Sequence, residues 1–306
     1  MKTVPRAYTP CTAINLIGPK LWVGLLIASA LLFGCNSIQK KSTVPFAQWP
    51  ILPASISEQS KTILAAGMLA GNKPTVFSKL GDCMTDSDRF LKPLANNMVQ
   101  WGEFAKLQST LSRFSSTPAR SGKGWVLNSF ASPSLAAAGG FNVAGPLDPT
   151  WSDPTWCASN ESPLECEYRV AKPIISIIMF GTNDVASTDD KTYEKYLRQI
   201  VQETMDHHIV PVLSTFPTRA ENVARSDQLN QIVVNVASDM SVPLVNLNQA
   251  LDALPNKGID PDNSTHLSIP ASGRGDDFTS AGLLGGANMR NLLTLQVLEL
   301  VTRSSH

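Results

Sequence analysis

The chain lacks an excess of charge of either sign. Its 306 residues contain 25 Lys and Arg and 25 Asp and Glu, so the formal net charge is zero. The absence of a basic tract argues against nucleic acid as a partner. An acidic run is also absent, so charge alone indicates no class of substrate.

Several motifs that bind cofactors or metals are missing as well. There is no Cys-x-x-Cys, which argues against a thiol-redox protein. No His or Cys pair has the spacing of a zinc site on a defined element. Gly139 and Gly140 lack both the spacing of a phosphate-binding loop and a helix signal after it. We therefore predict neither a cofactor nor a metal.

The longest apolar run, LWVGLLIASALLFG at residues 21–34, is too short to span a bilayer comfortably. It follows Lys2, Arg6 and Lys20 and is typical of an export signal. Its end, Leu32-Phe33-Gly34-Cys35, resembles a bacterial lipoprotein signal, in which Cys35 would receive lipid.

This resemblance implies a signal peptide at 1–34 and a lipidated Cys with a tether at 35–54. The domain at 55–306 would then be anchored on the extracytoplasmic side of a bacterial membrane. The alternative is ordinary cleavage nearby, which would release a secreted protein.

Export limits what the five cysteines can do. Cys11 is removed with the signal, so Cys83, Cys157 and Cys166 remain in an oxidising compartment beside Cys35. At most one disulfide can form among these three. Cys157 and Cys166 lie close together, in a polar loop and the helix start after it, and are the predicted pair. Cys83 is then a free thiol, which could be a nucleophile or an inert buried group.

Strands and helices alternate along the rest of the chain. Apolar runs predict strands at "TVFSKL", 174–180, 209–216 and 244–247, and helical spacing predicts helices over about 56–70, 103–115, 191–207 and 280–302. Ser55 and Glu58 have capping-box spacing, as do Ser162 and Glu165. The pattern predicts one α/β domain with a doubly wound parallel sheet that is covered on both faces.

Three short segments could carry chemistry. Gly81-Asp82-Cys83 follows the first strand, and Gly181-Thr182-Asn183-Asp184 follows the central strand. His266 lies in "DPDNSTHLS" at 260–268, before the last helix. Because two of these segments sit at the carboxyl ends of parallel strands, they should meet at one edge of the sheet.

This order of blocks resembles the SGNH (GDSL-type) hydrolases. The resemblance implies a flavodoxin-like three-layer α/β/α fold and hydrolysis of esters. It also implies that Gly140 and Asn183, with the amide of the nucleophile turn, hold the oxyanion. Gly81, Asp82 and Gly181 would then support the turns.

The chain departs from the family pattern at two positions. Cys83 stands where the family has Ser, and Asn263 stands three residues before His266 where the family has Asp. A thiol is more acidic than a hydroxyl, so a neighbouring imidazole could hold it as thiolate. Cys83, His266 and Asn263 could then form a thiol triad, or Asp262 could orient His266 instead.

Two functions are compatible with these residues. The first is an esterase acting on acyl or acetyl esters of a small molecule or polysaccharide, with a thioester intermediate on Cys83. The second is an inactive binding protein for carbohydrate or ester ligands on the same fold. Trp151 and Trp156, which flank the loop before Cys157, could stack on a sugar or simply cover the core.

Overall fold

The computed structural model describes residues 44–122 and 124–303. The predicted signal peptide, Cys35 and residues 36–43 of the predicted tether lie outside the described residues. The strands that it contains are β1 (Lys73–Gly81), β2 (Arg120–Gly122), β3 (Trp125–Leu127), β4 (Pro173–Met179), β5 (Val210–Ser214), β6 (Leu244–Val245), β7 (Ile259–Asp260) and β8 (Asn263–Leu267).

Nine α-helices accompany these strands within the described residues. They are α1 (Glu58–Leu69), α2 (Cys83–Asp86), α3 (Gln108–Ser115), α4 (Pro163–Ala171), α5 (Asp184–Ser187), α6 (Asp190–Asp206), α7 (Val223–Asp239), α8 (Leu247–Asp252) and α9 (Gly286–Arg303). Short 3-10 helices lie at Phe46–Gln48, Lys92–Asn96, Gly102–Leu107, Gly145–Leu147, Pro149–Trp151, Ala220–Asn222, Pro255–Gly258 and Gly282–Leu284.

The central sheet confirms the predicted fold class. Its four strands run parallel in the order β1-β4-β5-β6. Every residue of β4 and β5 is buried, which requires cover on both faces. Most buried apolar residues form one large core, in which the sheet packs against the helices, and Val76, Ala119 and Ala171 form a small separate cluster. The remaining strands form two small antiparallel pairs, β2 with β3 and β7 with β8.

Local signals set most element boundaries, with two exceptions. The capping box of Ser162 and Glu165 is present at the start of α4. The predicted cap at Ser55 is wrong, because Ser57 caps α1 by accepting from the Ser60 amide and also donates to the Ser241 carbonyl. The predicted helix at 103–115 is α-helical only in α3, and its first part is the 3-10 helix at Gly102–Leu107.

Part of the predicted tether contacts the domain. The Phe46 amide donates to the Gln231 side chain on α7. The Asn246 side chain donates to the carbonyls of Phe46 and Trp49. Contacts with the domain therefore begin before residue 55. No helix in the described part of the chain is long and apolar enough to cross a membrane.

The disulfide predicted from the sequence is present. Cys157 and Cys166 are bonded, with their Cα atoms 5.2 Å apart. The bond joins the loop before α4 to the first turn of that helix. Cys83 is the free cysteine among the described residues.

Removing this disulfide should lower stability. The bond closes a loop between residues nine apart in sequence, and loops of this size contribute about 2 to 3 kcal/mol to the free energy of unfolding. We expect that loss in the double variant Cys157→Ser/Cys166→Ser, measured by urea unfolding. Cys83→Ala is the matched control and should change stability far less. Equal stability of the double variant and wild type would contradict the prediction.

Candidate active site

The turn after β1 places Cys83 at the start of a helix. Asp82 is buried and caps α2, with its Oδ1 accepting from the Met84 amide at 3.0 Å. Cys83 is the first residue of α2 and is half-buried. Gly81 is required before this turn, because a Cβ there would lie 2.2 Å from the Thr85 hydroxyl oxygen. The sharp turn therefore presents the Cys83 thiol at the carboxyl edge of the sheet.

The turn after β4 lies beside it. Gly181 has φ +136°, and a Cβ there would lie 2.1 Å from the Phe216 ring. The Asn183 side-chain amide donates to the Phe141 carbonyl at 2.7 Å. This bond uses one of its two N–H groups, so the other remains for a ligand. Asp184 is buried and accepts from the Val143 amide and from the Thr188 hydroxyl.

The segment around Gly140 completes this edge. The Gly81 amide donates to the Ala136 carbonyl, and the Ala138 amide donates to the Gly81 carbonyl, both at 3.3 Å. These bonds align residues 136–138 with the end of β1. Gly140 follows with φ +85° and open space where a Cβ would be. The Asp86 carboxylate, at the end of α2, accepts from the Gly139 amide. The structure thus brings the Gly140 segment to the helix that carries Cys83.

His266 approaches α2 from the hairpin of β7 and β8. It lies on β8 and lines a small cavity together with Met84 and Ser87. Arg89 holds the hairpin in place by bonding the Asp260 carboxylate and the Leu267 carbonyl. The topology therefore brings His266 to the same edge of the sheet as Cys83.

Neither residue expected to orient His266 contacts it directly. Asn263 Oδ1 instead accepts from the Thr265 hydroxyl at 2.6 Å, and Thr265 Oγ1 lies 2.9 Å from His266 Nδ1. Because Thr265 donates its only hydroxyl proton to Asn263, it accepts from His266 Nδ1–H. This tautomer leaves the lone pair on Nε2, as a general base requires. Asp262 is exposed, and its amide donates to Asp260.

The Cys83 thiol is not held as a thiolate. Burial, followed by the Asp82 carboxylate, raises the pKa of Cys83 above its ordinary value of 9.0, while Arg219 opposes this shift. Within the described residues, no hydrogen bond joins Cys83 to His266. The sequence suggested that a neighbouring imidazole would ionise the thiol, and the resting structure differs because the thiol is desolvated and faces a carboxylate.

A buried arginine, which the sequence analysis missed, supports the nucleophile turn. Arg290 on α9 donates to the Met84 carbonyl at 2.7 Å and to the Thr85 hydroxyl at 2.9 Å. Its guanidinium lies 3.6 Å from the centre of the Phe90 ring. Burial lowers the pKa of Arg290 to about 9, although Asp82 opposes the shift. The signal that could have found it is an arginine just before the mostly apolar stretch at residues 292–298 of the last helix.

A second buried ionic group, also missed, holds the segment that leads to Gly140. Glu167 on α4 accepts from the Arg120 guanidinium at 3.0 Å, the Leu135 amide at 2.8 Å and the Ser78 hydroxyl at 2.7 Å. Lys79 donates to the Phe130 carbonyl at 3.3 Å. Burial lowers the pKa of Lys79 to about 8. These contacts fasten residues 130–135 to β1 and α4.

One group of possible metal ligands occurs among the described residues. It consists of Cys157, Glu161 and Cys166. The two sulfur atoms are bonded to each other, so they cannot act as thiolate ligands. We propose no metal site from this group.

Comparison with known proteins agrees with this geometry. A family model described as the GDSL-like lipase/acylhydrolase family matches residues 116–269. The chain belongs to this family, within the SGNH hydrolase superfamily, and ester hydrolysis is the chemistry that the membership supports. The matched region includes Gly140, Asn183 and His266 but begins after Cys83. No sequence among curated proteins matches the chain significantly.

Solved structures of esterases are also similar to this chain. Esterase EstA from Pseudoalteromonas sp. is 12% identical, with 75% of this chain and 98% of that chain covered and a TM-score of 0.44. A GDSL-like lipase from Bacteroides thetaiotaomicron is 13% identical, with 83% and 98% covered and a TM-score of 0.40. An acetylxylan esterase from Geobacillus stearothermophilus is 17% identical, with 72% and 93% covered and a TM-score of 0.41.

Alkylation should report a protonated thiol in the resting protein. Because the pKa of Cys83 is raised above 9.0, we expect its rate of reaction with iodoacetamide to keep rising beyond about pH 9. Asp82→Asn should shift this profile to lower pH, because it removes the carboxylate that raises the pKa of Cys83. A rate that is already constant near neutral pH, and that falls in His266→Ala, would instead show a thiolate–imidazolium pair.

Asp184→Asn should change how stability depends on pH. Burial raises the pKa of Asp184 from 3.8 to about 6 in the folded protein, so the unfolded chain ionises first as pH rises. Between about pH 4 and pH 6, ionisation therefore favours unfolding by on the order of 3 kcal/mol. Relative to Asp184→Asn, wild type should lose about this much stability across that window, measured by urea unfolding.

Asp189→Asn is the matched control for this experiment. Asp189 is exposed, and hydrogen bonds from Thr192 lower its pKa below 3.8. Its contribution to stability is therefore present above that value and is lost only at lower pH. If the curves of wild type and Asp184→Asn ran parallel from about pH 4 to pH 6, the pKa of Asp184 would not be raised.

Proposed function

We propose that this protein is an ester hydrolase in which the Cys83 thiol is the nucleophile and His266 is the general base. The observation that carries the proposal is the meeting of three segments at one edge of the sheet. These are the Cys83 turn, the Gly140 segment and the Asn183 turn. The hairpin that bears His266 packs against the same helix as Cys83.

In the first half of the reaction, Cys83 Sγ attacks the ester carbonyl carbon while His266 Nε2 takes the thiol proton. The negative charge on the carbonyl oxygen is held by backbone amides near Cys83 and Gly140 and by the free N–H of Asn183. Collapse of this intermediate breaks the bond to the alcohol oxygen, which takes the proton from His266. The product that stays on the enzyme is a thioester.

In the second half, water attacks the thioester carbonyl and gives its proton to His266. The carbon–sulfur bond then breaks, the acid leaves, and the proton returns to Cys83. The bond between Thr265 and His266 holds the proton on Nδ1, so Nε2 is free to accept a proton at the start of each step. Since the resting thiol is protonated, His266 acts as a general base during attack and not through a preformed ion pair.

We also propose that the protein is exported and anchored by lipid on Cys35. The support comes from the sequence, in which an apolar run ends in Leu32-Phe33-Gly34-Cys35. Acyl or acetyl esters of small molecules or envelope polysaccharides are the substrates that such a location would supply. If Cys35 is not lipidated, the same enzyme would be secreted.

A second candidate function is ligand binding without turnover. The observation that favours it is the raised pKa of Cys83, together with the lack of a hydrogen bond to His266 among the described residues. The Asn183 turn and the Gly140 segment would then hold an ester or carbohydrate that is not cleaved.

Kinetics with an activated acetyl ester separate the two functions. We expect the full-length chain to hydrolyse 4-nitrophenyl acetate. Cys83→Ala should lose turnover about 10³-fold or more, because it removes the nucleophile. His266→Ala should lose about 10²-fold to 10⁴-fold, because it removes the base. Intact mass measurement of wild type and Cys83→Ser should show one acetyl group on residue 83.

His207→Ala is the matched control for loss of an imidazole. His207 is exposed at the end of α6 and packs against Tyr168, so turnover should be unchanged. Equal turnover in Cys83→Ala and wild type would reject Cys83 as the nucleophile. If wild type were inactive on this ester and on a panel of acetylated sugars, ligand binding would be the better account.

A further inference from the structure

An open cavity of about 340 Å³ lies against the Gly140 segment. Its lining includes Gly139, Gly140, Phe141, Asn142, Asp148 and Trp151. The Phe141 carbonyl in this wall accepts the hydrogen bond from Asn183. The cavity therefore borders the groups that would hold the oxyanion, and a substrate bound at Cys83 could extend into it.

The most exposed large side chain in this lining is Trp151, with 63% of its surface accessible. Its position is nevertheless well defined. The planes of the indole and the Phe141 ring are inclined by 71° in a T-shaped contact, with ring centres 6.0 Å apart. Phe141 itself is buried over Gly145, where a Cβ would lie 2.8 Å from the ring.

The backbone at Trp151 is also held. Trp151 ends the 3-10 helix Pro149–Trp151, which Asp148 caps by accepting from the Thr150 amide at 2.9 Å. The protein thus places an exposed and positioned aromatic ring in the lining of the cavity. An aromatic side chain with a few polar groups beside it is a usual lining of a ligand pocket.

The charge at the cavity selects among ligands that could use this face. Hydrogen bonds from the Thr150 amide and hydroxyl lower the pKa of Asp148, so its carboxylate is ionised at neutral pH and repels anions. An acyl chain offers no hydrogen-bond donor to this carboxylate. A neutral sugar ring has an apolar face that fits an indole and hydroxyls that can donate to Asp148.

We propose that Trp151 is the platform of a subsite for a neutral pyranose ring, which is the alcohol part of the ester. This inference rests on the proposed function, because the ring is taken to be part of an ester that Cys83 cleaves. Binding of the ring at Trp151 does not itself require cleavage of the ester. Trp151 is therefore a specificity-determining residue. It should affect how a sugar ester binds and leave the reaction of small esters unchanged.

Binding is tested first in a background that cannot turn over. The full-length Cys83→Ala protein is titrated with xylotetraose and with acetylated xylotetraose by calorimetry. We expect Trp151→Ala to weaken binding about tenfold and Trp151→Phe to restore part of it, because a smaller ring keeps the stacking surface. Leu69→Ala is the matched control, since Leu69 is 91% exposed at the end of α1 and precedes β1, away from the site.

Kinetics in the protein with Cys83 intact give the second readout. For acetylated xylotetraose, Trp151→Ala should lower kcat/KM about tenfold, chiefly through KM. For triacetin, which has an acetyl ester but no ring, kcat and KM should stay at the wild-type values. A lower kcat/KM for the sugar ester with unchanged kcat and KM for triacetin distinguishes loss of ring binding from a general loss of structure.

The two proposals fail in different ways. In the Cys83→Ala background, Trp151→Ala could leave the affinity for both oligosaccharides unchanged. That result would overturn the subsite, whatever the activity of the protein. An equal loss of kcat/KM on triacetin and on the sugar ester in Trp151→Ala would also overturn the subsite. A loss of kcat/KM confined to esters with longer acyl chains would overturn it as well. If Trp151-dependent binding occurred with no turnover of any ester, the proposed subsite would be supported and the proposed hydrolase with a Cys83 nucleophile would be rejected.

Discussion

The site depends on the parallel pairing of β1 with β4. Their register places Gly81 opposite Met179, so both strands end at the same edge of the sheet. The turn with Cys83 and the turn with Asn183 are neighbours because of this pairing. The segment before Gly140 then continues the same hydrogen-bond pattern past the end of β1. Three parts of the chain that are far apart in sequence are thus aligned by backbone geometry alone.

Buried charges do the local positioning around this edge. Arg290 donates to the Met84 carbonyl and the Thr85 hydroxyl of α2. Glu167 accepts from the Leu135 amide in the backbone that leads to Gly140. Buried ionic groups seldom add to stability over apolar residues of similar volume, because desolvation offsets their attraction. Breaking one partner is costly, however, since it leaves the other unpaired. These groups contact the nucleophile turn and the backbone that leads to Gly140, so their effect is to fix the geometry of the site.

The thiol at position 83 changes the chemistry less than the sequence suggested. In a desolvated turn next to Asp82, the thiol stays protonated and needs a base during attack, as a serine hydroxyl does. The link from Asn263 through Thr265 to His266 sets the tautomer of that base. A threonine between the amide and the imidazole thus takes the place expected for a direct contact. Among the described residues, no carboxylate is hydrogen-bonded to His266, and Thr265 is the partner of its Nδ1.

The sequence by itself determined the fold class, the free cysteine, the disulfide pair and the edge of the sheet at which the blocks meet. It could do so because these features follow from local properties: apolar runs such as β4, caps such as Ser162, and the order of the turns.

Only the tertiary structure decided which side chains meet. Ser57 caps α1 in place of Ser55 with the help of Ser241, and Arg290 supports α2 across 206 residues of chain. Periodicity in a sequence reports that a face is buried, but the partner across that face comes from another part of the chain. For that reason no local pattern in the sequence predicts the position of Trp151, which follows from its packing against Phe141. The same holds for the raised pKa of Cys83, which follows from burial.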